Sequence, residues 1–155
     1  MDRYIFFVDK KIYFDLCCLN RPFDDQTQER IHFESEAVLA LLEQVQEGRC
    51  ILVGSQVLDL ENGKNPDSKR KNEIEDCLKL AKVYVEVGQQ EVDRANELQS
   101  FGLKSYDALH LACAESAKAD IFFTTDDDIV KKTTHIENIN TLVMNPLDGI
   151  KVQWQ

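Results

Sequence analysis

The sequence is short of the devices that brace a small secreted domain or fix one in a membrane. Its five cysteines are an odd number, Cys17 and Cys18 are adjacent, and none stands in a Cys-x-x-Cys pair. Neither a disulfide framework nor a zinc ribbon is encoded, and a reducing compartment is expected. No apolar stretch approaches the roughly 20 residues of a membrane span, and the run Tyr4 to Val8 is also too short for a signal-peptide core. The expectation is a soluble, cytoplasmic protein without a membrane partner. Positive charge is scarce: 18 Lys and Arg stand against 28 Asp and Glu, for a net charge of −10. That excludes a bulk-charge binder of nucleic acid or of anionic lipid, so any nucleic acid must be held by local features. Internal repeats and low-complexity tracts are lacking too, and prolines number only three.

What is present suffices for one domain over residues 1–155: the chain is 43% hydrophobic, and a chain of this length buries about 70% of its unfolded surface without a staple. Three short, nearly continuous apolar runs, Lys11 to Cys17, Cys50 to Gly54 and Ile121 to Thr125, read as strands covered on both faces. Weaker runs at Thr141 to Met144, closed by Pro146, and at Val83 to Val87 complete the set. Between them lie helical patterns. Gln26 to Glu47 carries Ile31, Val38, Leu41, Leu42 and Val45 at helical spacing and stops at Gly48. Ser55 opens a short helix through Leu60, Ser68 to Lys82 has an apolar stripe, and Gln89 to Ser100 ends at Gly102. Ser105 is an N-cap candidate for an apolar helix Tyr106 to Lys118. Strands alternating with helices predict an α/β fold, a three-layer α/β/α sandwich around a mainly parallel sheet of four to five strands.

In such a sheet ligands bind outside the carboxyl ends of the strands, so acids at those ends carry the information. Asp15, Glu61, Asp107 and Asp126 qualify. Two carboxylates about 4 Å apart repel by roughly 4 kcal/mol at an effective dielectric near 20. A converging cluster therefore takes up protons or binds a cation. An all-oxygen site with no histidine in reach suits Mg²⁺ or Mn²⁺ rather than zinc. Each acid also has a plainer explanation. Asp126, Asp127 and Asp128 can cap the helix that follows, and Asp107 can serve a first helical turn. Asp15, between Phe14 and Leu16 at a buried strand end, is hardest to explain that way, because a buried carboxylate needs a cation or several donors. Glu61 is least secure, since Asp59, Asp67, Glu34 or Glu36 could stand in for it. His110, three residues after Asp107, reads as a core histidine bonded to backbone or to an acid, and Cys113 as packing. Phe23, Phe101 and Trp154 are too scattered for a base-stacking platform.

The segments Tyr13-Phe14-Asp15, Ser105-Tyr-Asp-Ala-Leu-His-Leu-Ala112 and Phe122-Phe-Thr-Thr-Asp126 resemble the PIN domain, the fold of VapC-type toxin ribonucleases and related nucleases. The resemblance runs from about Lys11 to Met144. It implies Mg²⁺- or Mn²⁺-dependent hydrolysis of phosphodiesters in single-stranded RNA, with water attacking in line at phosphorus. Asp15, Asp107 and Asp126 would hold the metal, Glu61 would be the acid after the second strand, and Asp128 an accessory ligand or helix cap. Arg21 and Lys64 would grip the RNA backbone, with Lys69, Arg70 and Lys71 as further candidates, and Thr124 and Thr125 would contribute hydroxyls at the site. A possible antitoxin partner and a homodimer are implied as well. The family usually has a small hydroxyl residue after the first acid, where this chain has Leu16. The segment Cys17 to Asp25 is similar to a PIN subfamily other than the best-studied toxins. Two competing readings are a catalytically weak or inactive PIN scaffold that binds RNA or an antitoxin, and a receiver-like acidic pocket, which would want an Asp pair and a nearby lysine.

Overall fold

The computed structural model describes the backbone of residues 8–154 and the side chains of residues 8–150. Most of the Tyr4 to Val8 run and the side chain of Trp154 lie outside the described residues. In chain order the elements are β1 (Lys11–Phe14), α1 (Leu16–Asn20), a 3₁₀ turn (Arg21–Phe23), α2 (Glu29–Gln46), β2 (Ile51–Ser55), α3 (Gln56–Gly63), α4 (Ser68–Leu78), β3 (Val83–Val85), α5 (Gln89–Gln99), α6 (Ser105–Ser116), β4 (Ile121–Phe123), α7 (Asp127–Thr133), β5 (Leu142–Met144) and α8 (Pro146–Trp154).

The strands form one five-stranded sheet in the order β3-β2-β1-β4-β5, every neighbouring pair parallel. The sandwich expected from the sequence is thus the fold. β1 is central because its residues tolerate no water on either face: Ile12, Tyr13 and Phe14 are all fully buried. Tyr13 stacks on Phe122 and Phe14 on Phe123, so the β1–β4 register is reinforced by aromatic pairs as well as by the ladder. α6 is largely internal, with Ala108, His110, Leu111, Ala112, Cys113 and Ala114 buried. A parallel sheet sends all strand ends that carry the same polarity to one rim. The carboxyl ends of β2, β1 and β4, three adjacent strands, therefore open side by side.

Several boundaries differ from the sequence expectation. β1 stops at Phe14, not Cys17, and the apolar run continues as α1, whose Leu16, Cys18 and Leu19 are as buried as the strand. α3 runs on through Gly63 rather than ending at Leu60. Ser105 is the first residue of α6 rather than its N-cap; Lys104 holds that position without a side-chain bond. Pro146 does not merely close the last strand: it starts α8, with the Asn145 side chain accepting from Leu147 N at 2.8 Å. Gly48 follows α2 at φ 76°, a left-handed conformation in which a side chain would be strained.

Candidate metal centre

Asp15 stands where β1 gives way to α1. Its backbone N–H still bonds to Phe123 O at 2.9 Å, which continues the β1–β4 ladder by one step. Its carboxylate does not cap α1, so it is free to point along the rim. It is only 6% exposed. The Thr124 hydroxyl donates to Oδ2 at 3.0 Å and the Cys17 thiol approaches the same oxygen at 3.4 Å. One hydroxyl does not compensate a buried charge, and Cys17 is a poor second donor because hydrogen bonds from Cys18, Thr125 and Thr124 lower its thiol to about 6, toward the thiolate. Burial above all pushes the Asp15 carboxyl well above its ordinary range; Cys17 and Asp107 add to the push, and His110 opposes it.

Glu61 comes to the same place from β2. Ser55, the last residue of that strand, caps α3 by accepting from Leu58 N at 3.1 Å, and the helix then carries Glu61 back over the rim. α6 brings the third group: His110, fully buried, has Nε2 within hydrogen-bond distance of Glu61 Oε1 at 3.0 Å. One ligand atom each from Asp15, Glu61 and His110 falls within 4.8 Å of the others. A histidine is therefore in reach of the acids, contrary to the all-oxygen expectation. Its bonding to an acid is what a core histidine was expected to do.

Asp107 lies one helical turn before His110, half-buried. Burial, then the charge of Asp126, raise its carboxyl above the ordinary value, with Glu61 adding to the effect. Asp107 is thus coupled electrostatically to Asp15, Glu61 and Asp126, though neither it nor Asp126 belongs to the group within 4.8 Å. Asp126 is exposed and also fills the plainer role of helix cap, its side chain accepting from Asp128 N at 2.9 Å at the start of α7. Asp128 pairs with Lys132 at 2.7 Å.

The substitutes for Glu61 are all occupied elsewhere. Asp59 accepts from the Tyr84 hydroxyl, Asp67 caps α4, Glu36 is exposed on α2, and Glu34 is buried in a structural ion pair. Of the residues expected at the RNA, Lys64 is exposed and its Nζ lies 2.6 Å from the Tyr106 hydroxyl. With Leu16, Asn20, Glu61, Asn65 and Arg70 it lines a cleft of about 400 Å³ beside the acids. Arg21 is spoken for by Glu34 and Asp24, and Arg70 by Asp24 and Phe23 O. Lys69 is exposed. Thr124 and Thr125 are buried and outside the cleft lining; the Thr124 hydroxyl bonds Asp15 and also accepts from Asp126 N at 3.1 Å, while Thr125 bonds the Cys17 sulfur through its backbone N–H. Sequence reading missed Tyr13 and Ser55, both hydrogen-bonded into this cluster. Tyr13 stands in the Tyr-Phe-Asp segment and Ser55 opens α3, but neither position shows in sequence that its hydroxyl bonds toward His110.

Comparison with known families matches residues 19–134 to the PIN domain. The chain belongs to the PIN domain family. PIN domains are generally nucleases, often metal-dependent, and the acidic cluster on the rim is compatible with that activity. The match begins four residues after Asp15, so the place of Asp15 in the cluster rests on the geometry of β1. No curated protein matches the chain. Among the described residues no helix is long and apolar enough to cross a membrane.

Proposed function

We propose that this PIN domain is a metal-dependent endoribonuclease that hydrolyses phosphodiesters in single-stranded RNA. The observation that carries the reading is Asp15: a buried carboxylate with no Lys or Arg partner among the described residues, set within 4.8 Å of a second acid. A donor set of carboxylates fits a hard divalent cation, and burial with incomplete compensation is what such a cation would relieve. Asp15, Glu61, Asp107 and Asp126 are the residues proposed to hold Mg²⁺ or Mn²⁺, with Asp128 outside the set because of its pairing with Lys132. When bound, the ion supplies a water of lowered pKa and neutralises charge on the phosphoryl oxygens.

The protein's own groups do the positioning. Thr124 holds Asp15 and the Asp126 backbone together through one hydroxyl, supplying from just past the end of β4 the hydroxyl that Leu16 does not offer. α3 carries Glu61 and α6 carries Asp107, and the contact between His110 and Glu61 joins the two helices. Lys64, at the mouth of the cleft, is proposed to take an RNA phosphate. The antitoxin partner and the homodimer implied by the family resemblance, and the cytoplasmic location expected from the cysteine pattern and the short apolar runs, belong to the same reading.

The test is incubation with a mixed single-stranded RNA pool, with Mn²⁺ and then with EDTA. Cleavage is expected only with the metal, and cleavage that persists in EDTA sinks the reading. Lys64→Ala should weaken RNA binding uniformly across sequences and flatten the plot of log affinity against log salt by roughly 0.7 per lost contact. Binding titrations at several salt concentrations, done on the Asp126→Asn background to prevent turnover, read this slope; an unchanged slope takes Lys64 off the RNA.

A further inference from the structure

The metal-centre reading leaves the role of His110 open, since it stands within ligand distance of both acids. Its bonds decide between ligand and support. Nε2 is 3.0 Å from Glu61 Oε1, and Nδ1 is 2.7 Å from the Tyr13 hydroxyl. The Tyr13 hydroxyl is in turn 2.7 Å from Ser55 Oγ, which accepts from Leu58 N at 3.1 Å. All of Tyr13, Ser55 and His110 are buried.

Proton counting makes this chain run one way. Ser55 Oγ accepts the Leu58 N–H, and among the described residues the partner left for its own proton is the Tyr13 oxygen. Tyr13 then gives its proton to His110 Nδ1, which must be bare to receive it. The ring proton is left on Nε2, where the Glu61 carboxylate accepts it. Reversing any step strands a buried hydroxyl proton without an acceptor, which costs about 1–3 kcal/mol. The path starts at the first turn of α3, crosses β1 and α6, and returns to α3 at Glu61.

We propose that His110 is the positioning residue of the Glu61 carboxylate, held as its Nε2–H tautomer by the Leu58–Ser55–Tyr13 chain, and is not itself a metal ligand. The proposal rests on the metal-centre reading and sharpens it. With both ring nitrogens committed, the cation is offered carboxylate oxygens alone, so a hard ion such as Mn²⁺ or Mg²⁺ is favoured although an imidazole stands beside it. The arrangement is a histidine behind an acid, orienting a ligand it does not replace.

Three measurements on the full chain test it. In ¹⁵N-histidine-labelled protein, His110, told apart from His32 and His135 by its absence in His110→Asn, should show a bare Nδ1 and a protonated Nε2. The opposite tautomer overturns the proposal whether or not metal binds. Calorimetric titration of Mn²⁺ should give an affinity roughly 10- to 100-fold weaker in His110→Asn. In Tyr13→Phe, which keeps the core shape should the first variant fail to fold, the affinity should fall in the same direction by less. Wild-type affinity in folded His110→Asn, or in Tyr13→Phe, overturns it. Spin-echo spectra of the Mn²⁺-loaded wild type should lack coupling to a directly bonded imidazole nitrogen, and such coupling makes His110 a ligand and ends the proposal. If the tautomer is as expected but the wild type binds no Mn²⁺, the metal-centre reading is what fails, and with it the positioning role.

Discussion

Asp15→Asn should make the metal-free protein more stable and destroy its proposed activity. The two effects share one cause. Burial raises the Asp15 carboxyl far above its ordinary range, so the folded state holds that proton more tightly than the unfolded chain does. Where the folded state binds more protons, stability falls as pH rises. The ionised group therefore costs the fold stability at neutral pH, and the cost is absent at pH values below the ordinary carboxyl range. Asparagine has no charge to desolvate and still accepts the Thr124 hydroxyl, so its thermal midpoint should exceed that of the wild type at pH 7 and converge with it in acid. Mn²⁺ should raise the midpoint of the wild type and leave the variant unmoved, because ligand stabilises only a fold that binds it. RNA cleavage should fall by about a thousandfold or more, the loss of several kcal/mol of charge stabilisation at phosphorus. Unfolding scans from pH 3 to pH 8 with and without Mn²⁺, beside a cleavage assay, measure all of this. A variant that is less stable at neutral pH and still responds to Mn²⁺ would remove Asp15 from the centre.

The layered fold was legible because its core strands and α6 are written in nearly unbroken apolar residues at the right intervals. The rim was legible as the place to look for acids because strand ends in a parallel sheet share it, and Thr124, just past β4, bonds both the Asp15 carboxylate and the Asp126 backbone. Two elements were hidden for local reasons. α1 follows β1 in one apolar run, and a buried helix and a buried strand cannot be separated by periodicity over so few residues. α8 begins at Asn145-Pro146, an N-cap followed by proline, a signal that also serves to end a strand. What lay beyond local reading was partner choice. Arg21 looked available for RNA until Glu34, 13 positions away, claimed it. His110 was expected to bond an acid, yet its second partner, Tyr13, is 97 residues distant and carries no mark of the role.

Glu34 is the counterpart of Asp15 and should respond in the opposite sense. It is also a buried acid, fully inaccessible, but it is surrounded by donors: Arg21 Nε at 2.9 Å, Arg30 Nε at 3.2 Å and the Asn145 amide. These contacts tie the 3₁₀ turn, α2 and the start of α8 into one joint, and Arg30 goes on to hold Asp127 at the start of α7. Removing one partner of a buried ion pair costs about 3–5 kcal/mol. Arg30 is 53% exposed and can turn back to water, so the lower end of that range applies to Glu34→Ala. At roughly 2–4 °C per kcal/mol for a chain of this size, the midpoint should drop by about 6–12 °C. Glu34→Gln keeps an oxygen for one arginine and should lose about half as much. Neither change touches the rim acids, so at a temperature where the variants remain folded, Mn²⁺ affinity should match the wild type. Paired unfolding and Mn²⁺ titrations read both quantities. A Glu34 variant that kept its stability but lost the metal would exchange the roles of the two buried acids: the one compensated by arginines would then belong to the chemistry, and Asp15, short of donors, would have no reason to be where it is.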